Sequence, residues 1–386
     1  MPGISAWRLG FFAASSSMAV GGQAVIEGVM MRSPHSMAVA VRRSPNKIIV
    51  KEFQWVGLTD KFPLFKKPVF RGMAMLIEAM MNGMQALSFS AEQAAQAAAL
   101  EVAGSEIPTV PTATAESISG SPAVGNVTVI PIPTKEAGLL TQSAIIVSMV
   151  TALAMGVFMF VVLPHLLTEF LGRYLFGGLP VNSFKFHIVD GVIKTFIFIS
   201  YILGISRMPD IKRVFQYHGA EHKSIFTYEH QKDLSIENAR RESRFHPRCG
   251  TSFILTVIFA SILIFSVVFP LLPKPHLSPI LTSLLFALIK IPLMLPVVGL
   301  SYEFIRAMGN EKCPSWLKTF SKPGMWMQNL TTQEPDDTQI EVGIASLKAC
   351  LWRENNLKDN PIKSEKLIEF ENISSPLFED RLASHR

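Results

Sequence analysis

The sequence predicts a mainly α-helical membrane protein: about four transmembrane helices, a small N-terminal β-hairpin and helix element, and a metal-site loop between spans. Three observations predict it. Of 386 residues, 49% are apolar and only 17% charged, and the apolar residues gather into runs of about 20, the length that crosses the hydrocarbon core as a helix. Lysine and arginine are unevenly shared among the connections between those runs. Four metal-capable side chains, His218, His222, His246 and Cys249, fall within one stretch between the second and third runs.

Taken in order, residues 1–20 are a variable extension. Only Arg8 precedes a short apolar run there, so the charged start and long apolar core of a signal peptide are missing. Residues 21–103 are read as a cytoplasmic α/β element. Residues 21–32 form a glycine-punctuated turn and short apolar element around one acid, Glu27. Residues 37–43 and 47–55 alternate as strands, and Ser44-Pro45-Asn46 between them makes a hairpin turn. Residues 70–103 have helical composition, with five methionines between Met73 and Met84. Such a face packs ordinarily against the hairpin or the spans, or serves as an adaptable surface at the interface.

Residues 104–138 are a Ser/Thr/Pro-rich flexible linker. Transmembrane helices one and two occupy 139–206, with spans at 139–163 and 188–206. Asp190 and Lys194 in the second must face protein, water or headgroups. The His/Glu/Cys loop is 207–250. Helices three and four occupy 251–302, with spans at 251–272 and 279–302. Residues 303–354 hold interfacial and amphipathic helices: Trp316 and Trp326 with Lys318 and Lys322 suit headgroups, and Asp336 and Asp337 cap a helix running to about Glu354. Residues 355–386 read as a polar tail without ordered structure.

The loop 207–248 carries nine lysines and arginines, the connection 165–187 two and the connection 273–278 one. Positive residues stay on the cytoplasmic side, so both termini and the central loop are placed there. The net charge of +6 is this bias. The partner it implies is the lipid bilayer, anionic headgroups included; nothing asks for nucleic acid, and no protein partner can be read. Cys249, Cys313 and Cys350 are too few and too scattered for a disulfide framework and read as thiols in a reducing compartment.

On a helix, His218 and His222 stand at i and i+4 with Glu221 in the same arc, the H-x-x-E-H arrangement. Two imidazoles on one face share a divalent ion, and a neighbouring carboxylate takes a proton from water whose pKa zinc lowers to about 7. His246 and Cys249 offer further ligands. Imidazole with thiolate selects zinc, or iron, over magnesium and calcium. Four protein ligands would close the shell and make the site structural; three would leave a position for water and make Glu221 a general base. Lys223 and Arg248 either hold an anionic part of the substrate or serve the charge bias. Glu303, at the end of the fourth span, and Glu27 are candidates for an additional ligand or supporting acid. Glu334 begins the last helix, and Cys313 and Cys350 read as non-catalytic thiols.

Four blocks carry a resemblance: Gly21-Gly-Gln-Ala-Val-Ile-Glu-Gly-Val-Met30, Arg213-Val-Phe-Gln-Tyr-His-Gly-Ala-Glu-His-Lys223, Arg248-Cys-Gly-Thr-Ser-Phe253, and Leu330-Thr-Thr-Gln-Glu-Pro-Asp-Asp337 followed by Glu341-Val-Gly-Ile-Ala-Ser346. In this order, over residues from about 20 to 352, the chain resembles the bacterial YqhQ family, a set of multi-pass membrane proteins without an assigned role that are often labelled metal-dependent enzymes. The resemblance implies a bacterial cytoplasmic membrane protein. The positions to which that label can refer are His218, Glu221, His222, His246 and Cys249.

Two functional readings follow. One is a metal-dependent membrane hydrolase acting at the cytoplasmic face on a lipid- or peptide-like substrate. The other is a non-enzymatic scaffold or transport-associated protein in which the same residues form a structural metal site or a hydrogen-bonded cluster. A secondary transporter is disfavoured, because Pro292 and Pro296 interrupt one span only and no matching broken helix is present.

Overall fold

The computed structural model describes residues 20–105, 147–148, 150–175, 177–273, 275–308, 314, 319–357, 366–371 and 373. Its strands are β1 (Gly21–Val25), β2 (Gly28–Arg32), β3 (Ser36–Ser44), β4 (Lys47–Gln54) and β5 (Lys366–Phe370). The helices named below are α1 (Phe70–Ser105), α2 (Val150–Leu175), α3 (Phe184–Ile205), α4 (Pro209–Glu229), α5 (Ile236–Arg240), α6 (Gly250–Leu271), α7 (Pro279–Met308), α8 (Lys322–Thr331) and α9 (Asp337–Leu357).

The strands pair antiparallel in the order β1-β2-β3-β4-β5. Side chains alternate across a pleated strand, and here both sets are apolar. Val29, Met31, Ala38, Ala40, Ile48 and Val50 face α4 and α9, where they meet Tyr217, Ala220, Ile344 and Leu347. Met30, Met37, Val39, Val41, Ile49 and Phe53 face α1, where they meet Ala86 and Phe89. A sheet covered on both sides reads as near-continuous apolar strands, and the run Met37 to Val41 is buried throughout.

Two corrections concern this sheet. The hairpin read at 37–55 is present, but residues 21–32 form a second hairpin rather than a turn and one short element. Its turn holds Glu27 at φ 51°, a backbone region uncommon for a non-glycine residue. The tail is not wholly without structure either. β5 completes the sheet beside β4 and buries Ile368 and Phe370. Two alternating apolar side chains in a polar stretch are too short a signal to reveal a strand whose partner lies more than 300 residues away.

The last helix is present and capped as read: Asp336 Oδ1 accepts the Gln339 N–H at 2.9 Å, and Gln339 Oε1 accepts the Asp336 N–H at 3.0 Å, a reciprocal capping arrangement. The linker at 104–138 lies almost entirely outside the described residues, as do Trp316, Lys318 and Cys313.

Among the described residues, four helices are long and apolar enough to cross a membrane: Val150–Leu175, Phe184–Ile205, Gly250–Leu271 and Leu281–Met308. The last three match the expected spans within a few residues at most ends. The first runs past its expected end at residue 163 to Leu175, because the helix does not stop at Pro164; its expected start at 139 lies outside the described residues. A π-turn over Phe158–Val162 immediately precedes that proline. The wider turn makes room for a ring that would otherwise collide with the carbonyl four residues earlier.

α1 links the layers. Its start packs on the end of α7, where Gly72 meets Gly299 and Tyr302; farther along, it covers the sheet. The segment between spans two and three is also built in, since α4 lies under the sheet and leads through α5 back to the start of α6.

Candidate metal centre

Pro209 occupies the first turn of α4, where its missing N–H leaves nothing unsatisfied. The helix carries His218 and His222 one turn apart, with ring centroids separated by 4.5 Å. Cys249 reaches the same point from the other side. It is the residue before α6 and makes no side-chain cap bond, and its Sγ stands 3.2 Å from His218 Nε2. Ligand-capable atoms of His218, His222 and Cys249 all lie within 4.8 Å of one another. Tetrahedral zinc, with bonds of about 2.0–2.1 Å to nitrogen and 2.3 Å to sulfur, holds such atoms about 3.4–3.6 Å apart, so the three suit one ion.

Hydrogen bonds fix which ring nitrogens face inward. His218 Nδ1 lies 2.8 Å from the Thr331 carbonyl and His222 Nδ1 lies 2.5 Å from the Arg244 carbonyl. A carbonyl only accepts, so each Nδ1 carries the proton and each Nε2 presents its lone pair. Metal-binding histidines are normally oriented in this way. Burial also lowers the pKa of His222, which favours the neutral form that binds a metal.

The two carbonyls are delivered by tertiary packing. Gly219 lets the connector between α8 and α9 approach α4: a Cβ there would stand 2.2 Å from the Gln333 carbonyl oxygen, and the Gln333 N–H bonds to the Phe215 carbonyl at 2.9 Å. Gln328 on α8 fastens the return loop, accepting from the His246 N–H at 2.8 Å and donating to the His246 carbonyl at 2.7 Å.

Glu221 is buried beside the group, with Oε2 4.0 Å from His218 Nε2. Desolvation raises its pKa, opposed by His218, His246 and a hydrogen bond from the Gly22 N–H. β1 passes so close that a Cβ on Gly22 would fall 2.6 Å from Glu221 Cγ, and only glycine fits there. The carboxyl group of Glu221 therefore stands buried beside the His/His/Cys group.

The other sequence candidates fall elsewhere. His246 is near, its ring centroid 5.6 Å from that of His222, but its nitrogens are engaged: Nδ1 accepts the Arg248 N–H at 3.3 Å and Nε2 meets Glu229 Oε2 at 3.3 Å. Burial pushes the His246 pKa down to about 4. Arg248 pairs with Glu229. Lys223 is buried and spans the carbonyls of Arg240 and Glu242 and the carboxylate of Glu334, at 3.0, 2.8 and 2.7 Å; it ties α4 to the loop. Glu303 is not part of the centre, since it binds Arg71 and the Val69 N–H and anchors α1 to α7. Glu27 is one step removed: it holds Arg213 at 2.5 Å and accepts from the Tyr217 hydroxyl at 3.2 Å, fixing β1-β2 to α4. Cys350 is a core thiol, its pKa pushed up to about 12 by burial. Sequence reasoning missed Gly22, Gln328 and the carbonyls of Thr331 and Arg244. Only the glycine-rich start of β1 left any trace in the sequence.

A family model described as "Protein of unknown function (DUF1385)" matches residues 67–353. The "Uncharacterized protein YqhQ" of Bacillus subtilis (strain 168) is 32% identical over 351 residues, which is 91% of this chain and 98% of that protein. The chain belongs to the YqhQ family. The matched window runs from the start of α1 to near the end of α9, and so takes in His218, Glu221, His222, His246 and Cys249. No solved structure matches.

Proposed function

We propose that this YqhQ-family protein is a metal-dependent membrane hydrolase, with a divalent ion, zinc before iron, held by His218, His222 and Cys249. The observation that carries the reading is the paired orientation of the imidazoles: both give Nδ1–H to a backbone carbonyl and leave Nε2 beside the Cys249 thiol. Three ligands leave a coordination position open. The ion would supply Lewis-acid polarisation of water or of a carbonyl or phosphoryl oxygen. Glu221 accepts a proton beside it, and the Gly22 N–H steadies the carboxylate.

Cys249 immediately precedes the membrane helix α6, which supports a centre at the edge of the bilayer and a lipid- or peptide-like substrate over a freely soluble one. The lysine and arginine bias of the 207–248 loop supports the cytoplasmic side for that edge.

Burial supports a second reading. His222, Glu221 and Cys249 are each less than a tenth exposed, as in a structural clamp joining α4 to α6 within a scaffold protein. The variant Glu221→Gln separates the two. The hydrolase predicts that it retains metal and fold but fails to restore a strain lacking the gene; full restoration at normal expression would leave the clamp.

A further inference from the structure

Away from the metal centre, in the half of the spans where α2 ends and α3 begins, lies a second polar cluster. Lys290 on α7, His165 on α2, and Asp190 and His187 on α3 are all buried. Lys290 Nζ stands 2.8 Å from Asp190 Oδ2 and 3.1 Å from His165 Nδ1. His165 Nε2 is 3.0 Å from Ser283 Oγ, which donates to Glu169 Oε2 at 2.5 Å. Glu169 pairs at 3.6 Å with Arg173, an exposed residue in the last turn of α2. Lys194 lies 3.5 Å from Asp190. Both nitrogens of His187, Asp190 Oδ1 and Ser266 Oγ are buried with no hydrogen-bond partner among the described residues.

Such groups are costly in hydrocarbon and are found where a membrane protein moves ions or protons. Unpaired buried polar atoms are the rarer observation, since most find a partner or an ordered water. Together they mark a site rather than a single structural ion pair.

We propose that Lys290, His165, Ser283 and Glu169 form a proton relay from the middle of the membrane toward the end of α2. The hydrogen bonds are all oriented one way. An ammonium at Lys290 donates to His165 Nδ1, so His165 carries its proton on Nε2 and donates to Ser283, which donates to the Glu169 carboxylate. One concerted shift breaks an N–H bond at Lys290 and forms one at His165 Nδ1. It breaks the His165 Nε2–H bond and forms an O–H bond at Ser283, then breaks the original Ser283 O–H bond and forms one at Glu169. Lys290 ends as a neutral amine and Glu169 as a carboxylic acid, with no proton gained or lost overall.

The reverse shift returns a proton to Lys290 and leaves Glu169 a carboxylate; when the His165 ring turns over while both its nitrogens hold protons, the two exchange places, and repeated shifts carry deuterons taken up at Glu169 from the aqueous face to Lys290. The charged and titratable groups that face the relay are His165, Glu169 and Arg173 from α2, His187, Asp190 and Lys194 from α3, and Lys290 from α7. Among the described residues α6 adds Ser266 and the rings of Phe265 and Phe269, which pack on His187.

The test follows hydrogen–deuterium exchange at the Lys290 ammonium by solid-state NMR of the full chain, labelled with 15N-lysine, in proteoliposomes. The Lys290 signal is assigned by its loss in Lys290→Arg, which keeps the cation. The relay predicts ready exchange in the parent, slowing by about a hundredfold in Ser283→Ala, the low end of what a positioned proton-transfer group contributes. It also predicts recovery in Ser283→Thr, which restores the hydroxyl. Equal rates in the alanine and threonine variants, or no exchange at Lys290 in the parent, would overturn it. Where Ser283→Ala does not fold, His165→Phe breaks the same chain and is read in the same way.

Discussion

His218 and His222 can serve as a ligand pair only if each ring turns an unprotonated nitrogen inward, and neither residue controls that alone. The Thr331 and Arg244 carbonyls do so, brought close by Gly219 and by the loop that Gln328 fastens. The helical spacing of the two histidines with Glu221 between them was legible in the sequence, because period and residue type were enough. The carbonyls were not, because backbone atoms leave no residue-specific trace. His246 was equally visible as a residue type, yet Glu229 and the Arg248 N–H occupy its nitrogens. Gly22 supplies a prediction at this scale. Replacing it by alanine forces a methyl group against buried Glu221, and the variant should lose about 1–3 kcal/mol, the usual effect of overpacking. Gly21→Ala, with nothing within 4 Å of the added carbon, should stay within about 0.5 kcal/mol of the parent. Thermal unfolding of both purified variants checks the pair, and equal losses would contradict the placement of β1 over Glu221.

Among the elements, β5 makes a contribution that its composition conceals. It covers the free edge of β4 and buries Ile368 and Phe370 against α4 and α9. Each fully buried side chain of this kind stabilises by about 1.5–3 kcal/mol, and an uncovered strand edge invites pairing with another chain. A chain ending at residue 357 should therefore unfold at lower temperature and run partly as aggregate on size exclusion, although it retains every metal-site residue. Unchanged stability would show that β5 is not part of the sheet in solution. The β3-β4 hairpin was legible because alternation and a Pro-Asn turn agree. The β1-β2 hairpin was not, because its turn is Ile26-Glu27, with Glu27 at positive φ held by Arg213 rather than by a turn-forming residue. The first span was ended too early for a similar reason, since Pro164 reads as a stop unless the π-turn ahead of it is known.

At the scale of the whole molecule, the four spans divide the polar chemistry into two regions: the His/Cys/Glu centre beside the start of α6, and the Lys290 cluster near the opposite ends of the helices. Hydropathy made the spans legible, and Asp190 and Lys194 stood out in the second. Lys290 did not, because one lysine among so many apolar residues barely changes the average, although it is the buried cation that joins α2, α3 and α7. By the positive-inside rule, the charge bias leads us to expect the connection between α2 and α3 outside and the α4–α5 segment inside. A membrane-impermeant maleimide should then label Lys185→Cys in intact cells and Arg241→Cys only after lysis; the reverse pattern would invert the assigned orientation. The central claim, that His218, His222 and Cys249 hold a metal, is tested most directly by the metal content of the detergent-purified protein, measured by plasma mass spectrometry without chelators beside a His218→Ala/His222→Ala variant. The account predicts near-stoichiometric zinc or iron in the parent and its loss in the folded variant. No bound metal in the intact parent, or the same content in both, would contradict it.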